Sequence, residues 1–278
     1  MTAEHQVSPG LGQGKGLVVP APEESPGSRS TCYLSPIVRF VWLDEVDSTN
    51  AYAARQLSSL SHGTFVVADR QSAGCGRDGR FWYSPPGGIY MSAVVKSFPA
   101  VPSSAASGFL TLAMALAVCD SLDRLGLKPV LKWPNDVFVE GEKIAGVLAQ
   151  ATYEGECLSS AVVGVGVNVN TSREELSSVG RPATSIAVCL GQPQDARDLT
   201  YTVAERFFQR LDSADCEGLR RDVLERMVGL EGPVMMSTPR GTIRGRAMGL
   251  AEDFQLRILD ETGCTRLISA GDSCCSMV

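Results

Sequence analysis

The chain has 278 residues, 44% of them hydrophobic, and a formal net charge of -6, which is enough apolar material for one substantial core and a small second unit. A modestly acidic chain without clustered Lys and Arg argues against nucleic-acid or membrane-surface partners. Nine cysteines with no C-x-x-C pair, and two histidines, His5 and His62, supply no zinc ligand set and fit reduced thiols in a cytoplasmic protein.

Residues 1–36 are rich in Gly, Pro and Ser and carry Glu4, Glu23 and Glu24. They lack the apolar core of a signal peptide and the Arg bias of a transit peptide, so they read as a disordered leader. From Ile37 a strand-like run leads to the polar cluster Asp44 to Asn50. Asp47 or Ser48 is then the natural N-cap of a helix over Ala51 to Leu60. His62 follows in a turn and reads as a solvated loop residue. Strands are expected over Thr64 to Asp69 and Ile89 to Lys96, separated by a glycine-rich, charged loop from Gln71 to Gly88.

A long apolar helix should start at Ser103 or Ser104, run to about Arg124 and stop at Gly126. Its most apolar part, Phe109 to Leu122, ends in Asp123 and Arg124, short of the roughly 20 residues of a membrane span. Short strands follow at Val130 to Trp133, Val137 to Val139, Ile144 to Tyr153 and Ser160 to Val167, divided by turns at Glu140-Gly141-Glu142 and Glu154-Gly155-Glu156. These hairpins favour a mixed sheet. Helices are expected near Ala183 to Leu190, Leu199 to Ser213 and Gly218 to Met227. From Gly232 onward, strands at Pro233 to Ser237, Thr242 to Leu250, Phe254 to Leu259 and Thr265 to Ala270 suit a small β-barrel. The end Cys275-Ser276-Met277-Val278 fits a prenylation box poorly, because Ser276 is not aliphatic and no basic run precedes it.

Four clusters carry chemical potential. The first, Gly74-Cys75-Gly76-Arg77-Asp78-Gly79-Arg80-Phe81-Trp82, contains G-x-G-x-x-G but runs into Ser84-Pro85-Pro86 instead of a helix, which weakens a dinucleotide-binding reading. Its free amides and guanidinium groups suit an anion; a plain surface turn is the equal alternative. The others are Lys132-Trp133-Pro134-Asn135-Asp136, Lys143-Ile144-Ala145-Gly146, and Gly164-Val165-Gly166-Val167-Asn168, a strand end on which a flat ligand can lie.

In this order, with Asp47-Ser48-Thr49-Asn50 before them and Gly271-Asp272-Ser273 near the end, these clusters resemble the biotin–protein ligase family. The resemblance is strong over Trp42 to Asn170. It implies an α+β fold: a mixed sheet with packed helices, of the class II synthetase-like biotin/lipoate ligase type, over residues 37–230, and an SH3-like barrel over 231–278. The implied activity uses ATP and Mg2+ to turn biotin into biotinyl-5′-AMP, then passes biotin to a lysine of a biotin carboxyl carrier domain. A monomer or a homodimer is expected. No helix-turn-helix precedes Ser35, so DNA binding is not expected.

The resemblance also implies residue roles. Ser48, Thr49, Asn50 and Gln71 would hold the biotin head group; Cys75, Gly76, Arg77, Lys143 and Gly146 would complete its site. Gly74, Arg80, Trp82, Lys132 and Asn168 would attend ATP and the adenylate, with Gly164 and Gly166 alongside. Lys143 would be the central catalytic cation, with Arg77 and Asp136. Cys75 replaces the first arginine of the family's loop, which should loosen the hold on the adenylate unless Arg80 substitutes. Two rivals remain open: a lipoate or octanoate ligase, and a non-catalytic binding module.

Overall fold

The computed structural model describes residues 38–269 except 97, 99, 239 and 240, together with the backbone of Cys274–Met277. The proposed leader and the Gly271-Asp272-Ser273 motif lie outside the described residues, as does Val278, the last residue of the prenylation-like end.

Seven strands form the main sheet: β1 Arg39–Val46, β2 Thr64–Gln71, β3 Ile89–Lys96, β4 Val130–Lys132, β5 Asp136–Val139, β6 Glu142–Glu154 and β7 Cys157–Val167. They lie in the order β1-β2-β3-β7-β6-β5-β4. Only β1 and β2 run parallel, and that pairing needs a crossover. The helix α1, Thr49–Arg55, provides it. The expected hairpin turns are present, with Glu140 at φ 52° and Gly141 at φ 81° joining β5 to β6.

One face of this sheet is apolar. The helix α2, Ser103–Asp123, is buried around almost its whole circumference and packs on β6 and β7 and against α5, Ala196–Ser213. Its 21 residues would pass for a membrane span by length and composition, contrary to the sequence reading, but most of its apolar window is buried in the protein. On β7 the alternation Val-Gly-Val-Gly-Val is decisive: Val163, Val165 and Val167 enter the core, which leaves Gly164 and Gly166 on the opposite face. Beside them, Ala53, Val66, Val94 and Val162 make a small second cluster beneath α1. The polar start of α1 thereby sits against a flat, glycine-lined sheet surface.

The remaining helices are α3 Arg173–Ser177, α4 Ile186–Leu190 and α6 Cys216–Arg226. Strands β8 Pro233–Thr238, β9 Gly241–Leu250, β10 Leu256–Asp260, β11 Thr265–Ile268 and β12 Cys274–Met277 form a second, antiparallel sheet in the order β11-β10-β9-β8-β12. Its inner residues Met236, Leu256 and Ile258 join the same apolar core as α2. Phe254 is the plug between the two: its ring lies 6.1 Å from that of Phe109, and its carbonyl accepts a hydrogen bond of 3.2 Å from the indole of Trp133.

Several sequence expectations are corrected. The first helix runs over Thr49–Arg55 instead of Ala51 to Leu60: Ser48, one of the two expected N-caps, accepts from the Ala51 amide and sets the earlier start, and the helix stops at Gln56. The helix expected at Ala183 starts at Ile186, since Ala183 and Thr184 are drawn into pairing with Lys143. α3 and β12 were not expected. His62 is not a solvated loop residue: it is half-buried and its Nδ1 accepts the Lys96 amide at 3.0 Å, and burial lowers its pKa.

Candidate active site

A cavity of about 550 Å³ opens where α1, the glycine-rich loop and strands β4 to β7 converge. Ser48, Thr49, Asn50, Gln71, Cys75, Gly76, Arg77, Arg80, Trp82, Lys132, Asp136, Lys143, Gly146, Gly164, Gly166 and Asn168 all line it. Gly74 stands behind the wall, buried where any Cβ would lie 2.6 Å from Ser84 Oγ and from the Trp82 carbonyl. It shapes the loop from behind.

One end of the cavity is neutral and hydrogen-bonding. Asn50 Nδ2 donates to the Leu148 carbonyl at 3.1 Å and to Gln150 Oε1 at 3.2 Å, while its Oδ1 accepts from Ser92 Oγ at 2.6 Å. The Ser92 hydroxyl also lies 2.8 Å from Thr49 Oγ1. Gln71 Oε1 accepts from the Thr49 amide at 2.8 Å, and Gln71 Nε2 donates to Ser84 Oγ at 2.9 Å. Six side chains from five places in the sequence are thus oriented in one network, which fixes donors and acceptors before any ligand enters. Ser92 was not anticipated. Its signal was a small polar side chain, a single serine, inside the apolar run Ile89 to Lys96, fully buried in the structure.

The floor between the ends is glycine. The Asn50 amide lies on Gly164, and the Trp82 indole lies on Gly166 and Gly146, so a Cβ at Gly164 or Gly166 would collide with these side chains. Trp82 Nε1 is buried and has no hydrogen-bond partner. An orphaned buried donor costs free energy, and the cavity beside it is the place from which a ligand acceptor would come.

The other end is cationic. Arg77, Arg80, Lys132, Lys143 and Arg181 line the cavity, and Asp136 is the one carboxylate among its described lining residues. Lys143 Nζ pairs with Asp136 Oδ1 at 2.6 Å and sits 5.2 Å from the centre of the Trp82 ring. A bulge between Val137 and Phe138 sets the register that brings Asp136 opposite Gly146. Arg77 Nη1 donates to Asn135 Oδ1 at 3.3 Å, and Asn135 is fixed in turn by donating to the Val147 carbonyl at 2.9 Å. Lys132 stands over the Phe138 ring, and Arg80 pairs with Asp78. Cys75 is exposed on the loop and its thiol donates to the Gly76 carbonyl.

Beyond β7, the chain from Thr171 to Thr184 closes the cationic end. Ser172 and Glu175 cap α3 reciprocally, and those hydrogen bonds hold the Glu175 carboxyl below its ordinary pKa. Arg173 pairs with Glu142 at 2.7 Å. The Lys143 amide donates to the Pro182 carbonyl at 3.2 Å, and the Thr184 amide to the Lys143 carbonyl at 2.9 Å. Leu176 and Val179 add an apolar patch to that wall.

A family model described as the biotin/lipoate A/B protein ligase family matches residues 42–168. The chain is 34% identical over 243 residues to the biotin–[acetyl-CoA-carboxylase] ligase of Mycobacterium tuberculosis, covering 82% of this chain and 85% of that one. It is 29% identical over 231 residues to the ligase of the same name from Paracoccus denitrificans, covering 80% and 94%. Among solved structures, a biotin protein ligase from Aquifex aeolicus in complex with biotin and ATP superposes with a TM-score of 0.73 at 30% identity, covering 86% of this chain and 99% of that one.

Proposed function

The chain belongs to the biotin–protein ligase family, and from that premise we propose that this one cavity performs both half-reactions of the activity. In the first, a biotin carboxylate oxygen attacks the α-phosphorus of ATP; the bond to the β-phosphate breaks, and pyrophosphate leaves behind biotinyl-5′-AMP. In the second, an acceptor lysine amine attacks the acyl carbonyl, gives up a proton, and AMP leaves. The observation that carries this reading is the polarity of the cavity: a neutral, prearranged hydrogen-bonding end adjoins an end with five cations and one carboxylate.

Ser48, Thr49, Asn50 and Gln71 are assigned to the ureido head group, with Ser92 behind them as their positioning residue. Lys143 and Arg77 are assigned to the meeting point of carboxylate and α-phosphate, where they offset the repulsion of two anions and the charge that builds on the phosphoryl oxygens. Asp136 holds the Lys143 ammonium until the anions arrive. Once released, its carboxylate can orient the incoming amine and take its proton. Trp82 and the glycine floor keep water from the mixed anhydride.

Magnesium fits as the counter-ion of the nucleotide substrate: no trio of His, Cys, Asp or Glu suited to a resident ion is gathered among the described residues. The acceptor is proposed to be the carrier domain of a biotin-dependent carboxylase, and the compartment the cytoplasm, where the free thiols would stay reduced.

The test is exchange of labelled pyrophosphate into ATP, with biotin, lipoate or octanoate as the acid. Exchange with biotin alone supports the assignment, and Lys143→Ala should lower it by roughly 100-fold or more. Exchange with lipoate would move the chain to the sister activity, and no exchange would leave a binding module.

A further inference from the structure

We propose that Arg181 binds the β- and γ-phosphates of ATP, and so serves the adenylation half-reaction and not the transfer. This inference rests on the ligase reading above. Of the five cations in the cavity wall, four have counterparts within the protein: Lys143 has Asp136, Arg80 has Asp78, Arg77 has Asn135, and Lys132 has the face of Phe138. Arg181 alone has no hydrogen bond, ion pair or ring contact among the described residues.

Its position is set by backbone. Pro182, the next residue, accepts the Lys143 amide, Ala183 pairs with Lys143 in a parallel bridge, and Arg173 donates to the Ala183 carbonyl at 3.3 Å while pairing with Glu142. These contacts tie the chain on both sides of Arg181 to the strand that presents Lys143. A guanidinium that shares a cavity wall with four other cations gains nothing from their charge, and the arrangement becomes favourable when a polyanion enters. Biotin brings one negative charge. The triphosphate of ATP brings most of the rest, and a planar guanidinium suits phosphate oxygens.

The two half-reactions separate the roles, because the β- and γ-phosphates are present only in the first. In Arg181→Gln, the KM for ATP in biotin-dependent pyrophosphate exchange should rise on the order of 10-fold. The KM for biotin, and the rate of transfer from preformed biotinyl-5′-AMP to a carrier domain, should stay at wild-type values. Arg181→Lys should recover much of the loss, since it restores the charge without the fork. An unchanged KM for ATP in Arg181→Gln would overturn the proposal and leave a solvated surface cation. An equal loss in transfer from the preformed adenylate would overturn it too, by placing Arg181 on the AMP part or on the architecture of the wall. A wild-type chain with no exchange would instead refute the ligase reading, and this inference with it.

Discussion

At the scale of single residues, the glycines of β7 specify the pocket as firmly as its polar groups do. Gly164→Ala would put a methyl into the Asn50 amide, closest to the Oδ1 that accepts from Ser92, so the side chain must shift and give up hydrogen bonds to Ser92, Leu148 or Gln150. We expect the KM for biotin to rise about 10-fold or more, the loss of one or two buried hydrogen bonds, with the circular dichroism unchanged. Cys75 gives a second prediction. It is exposed and lines the cavity, whereas burial pushes the Cys119 thiol up to about 12. Mapped alkylation should label Cys75 early and Cys119 last, and biotin with ATP should protect Cys75. Cys75→Arg should slow release of biotinyl-5′-AMP; unchanged release would show that Arg80 already fills the gap. The motif residues entered through the resemblance to the family, since each cluster alone also fits an ordinary turn or strand end; the fold gathers them around one cavity. Ser92 and Arg181 were not legible: a hydroxyl within an apolar strand and an arginine in a loop look ordinary until the fold brings them to the cavity.

Elements show the same division. The strands bounding the site were readable from alternation and glycine turns, and Ile89–Lys96 falls where the sequence placed it. Helix ends were less readable, since tertiary pairing competes with propensity: Ala183 and Thr184 are helix-compatible, yet their backbone is taken by Lys143. α3 left a signal in Ser172-x-x-Glu175, a capping box over a helix too short to show periodicity. Charge also ties elements together. Arg210 on α5 reaches Asp120 on α2 at 2.6 Å and Asp222 on α6 at 3.0 Å, with all three side chains partly shielded. Arg210→Ala should cost about 1–3 kcal/mol in a chemical melt, more than an exposed pair would. His62 ties the turn before β2 to β3 by accepting from Lys96, and burial lowers its pKa. The folded state therefore binds its proton less readily than the unfolded chain. The contribution is intact above the ordinary value of 6.5 and is lost as pH falls below it. The Tm should drop between pH 7.5 and 5.5 by more in the wild type than in His62→Gln, about those buffer values.

For the molecule as a whole, the second sheet is tied to the turn between β4 and β5 that lines the cavity and not merely appended. Trp133 belongs to the Lys132 to Asp136 cluster, is 2% exposed, and donates to the carbonyl of Phe254. Phe254→Ala should remove about 3–5 kcal/mol and lower adenylation together with stability. One cooperative transition in calorimetry would match the continuous core; two would show that the sheets melt separately. The barrel-like strands were legible in the sequence, but this tether was not, because nothing local in Trp133 announces a partner 121 residues away. The three tryptophans of the chain occupy three distinct environments. Trp42 lies under Arg197 on β1, Trp133 is sealed at the junction with the second sheet, and Trp82 rests on the pocket floor beside the Lys143 ammonium. The protein therefore carries an intrinsic fluorophore in the wall of the candidate cavity. Biotin and ATP should alter the emission of Trp82 against the steady signal of Trp42, which lies outside the cavity, so that occupancy can be followed optically in the unlabelled chain.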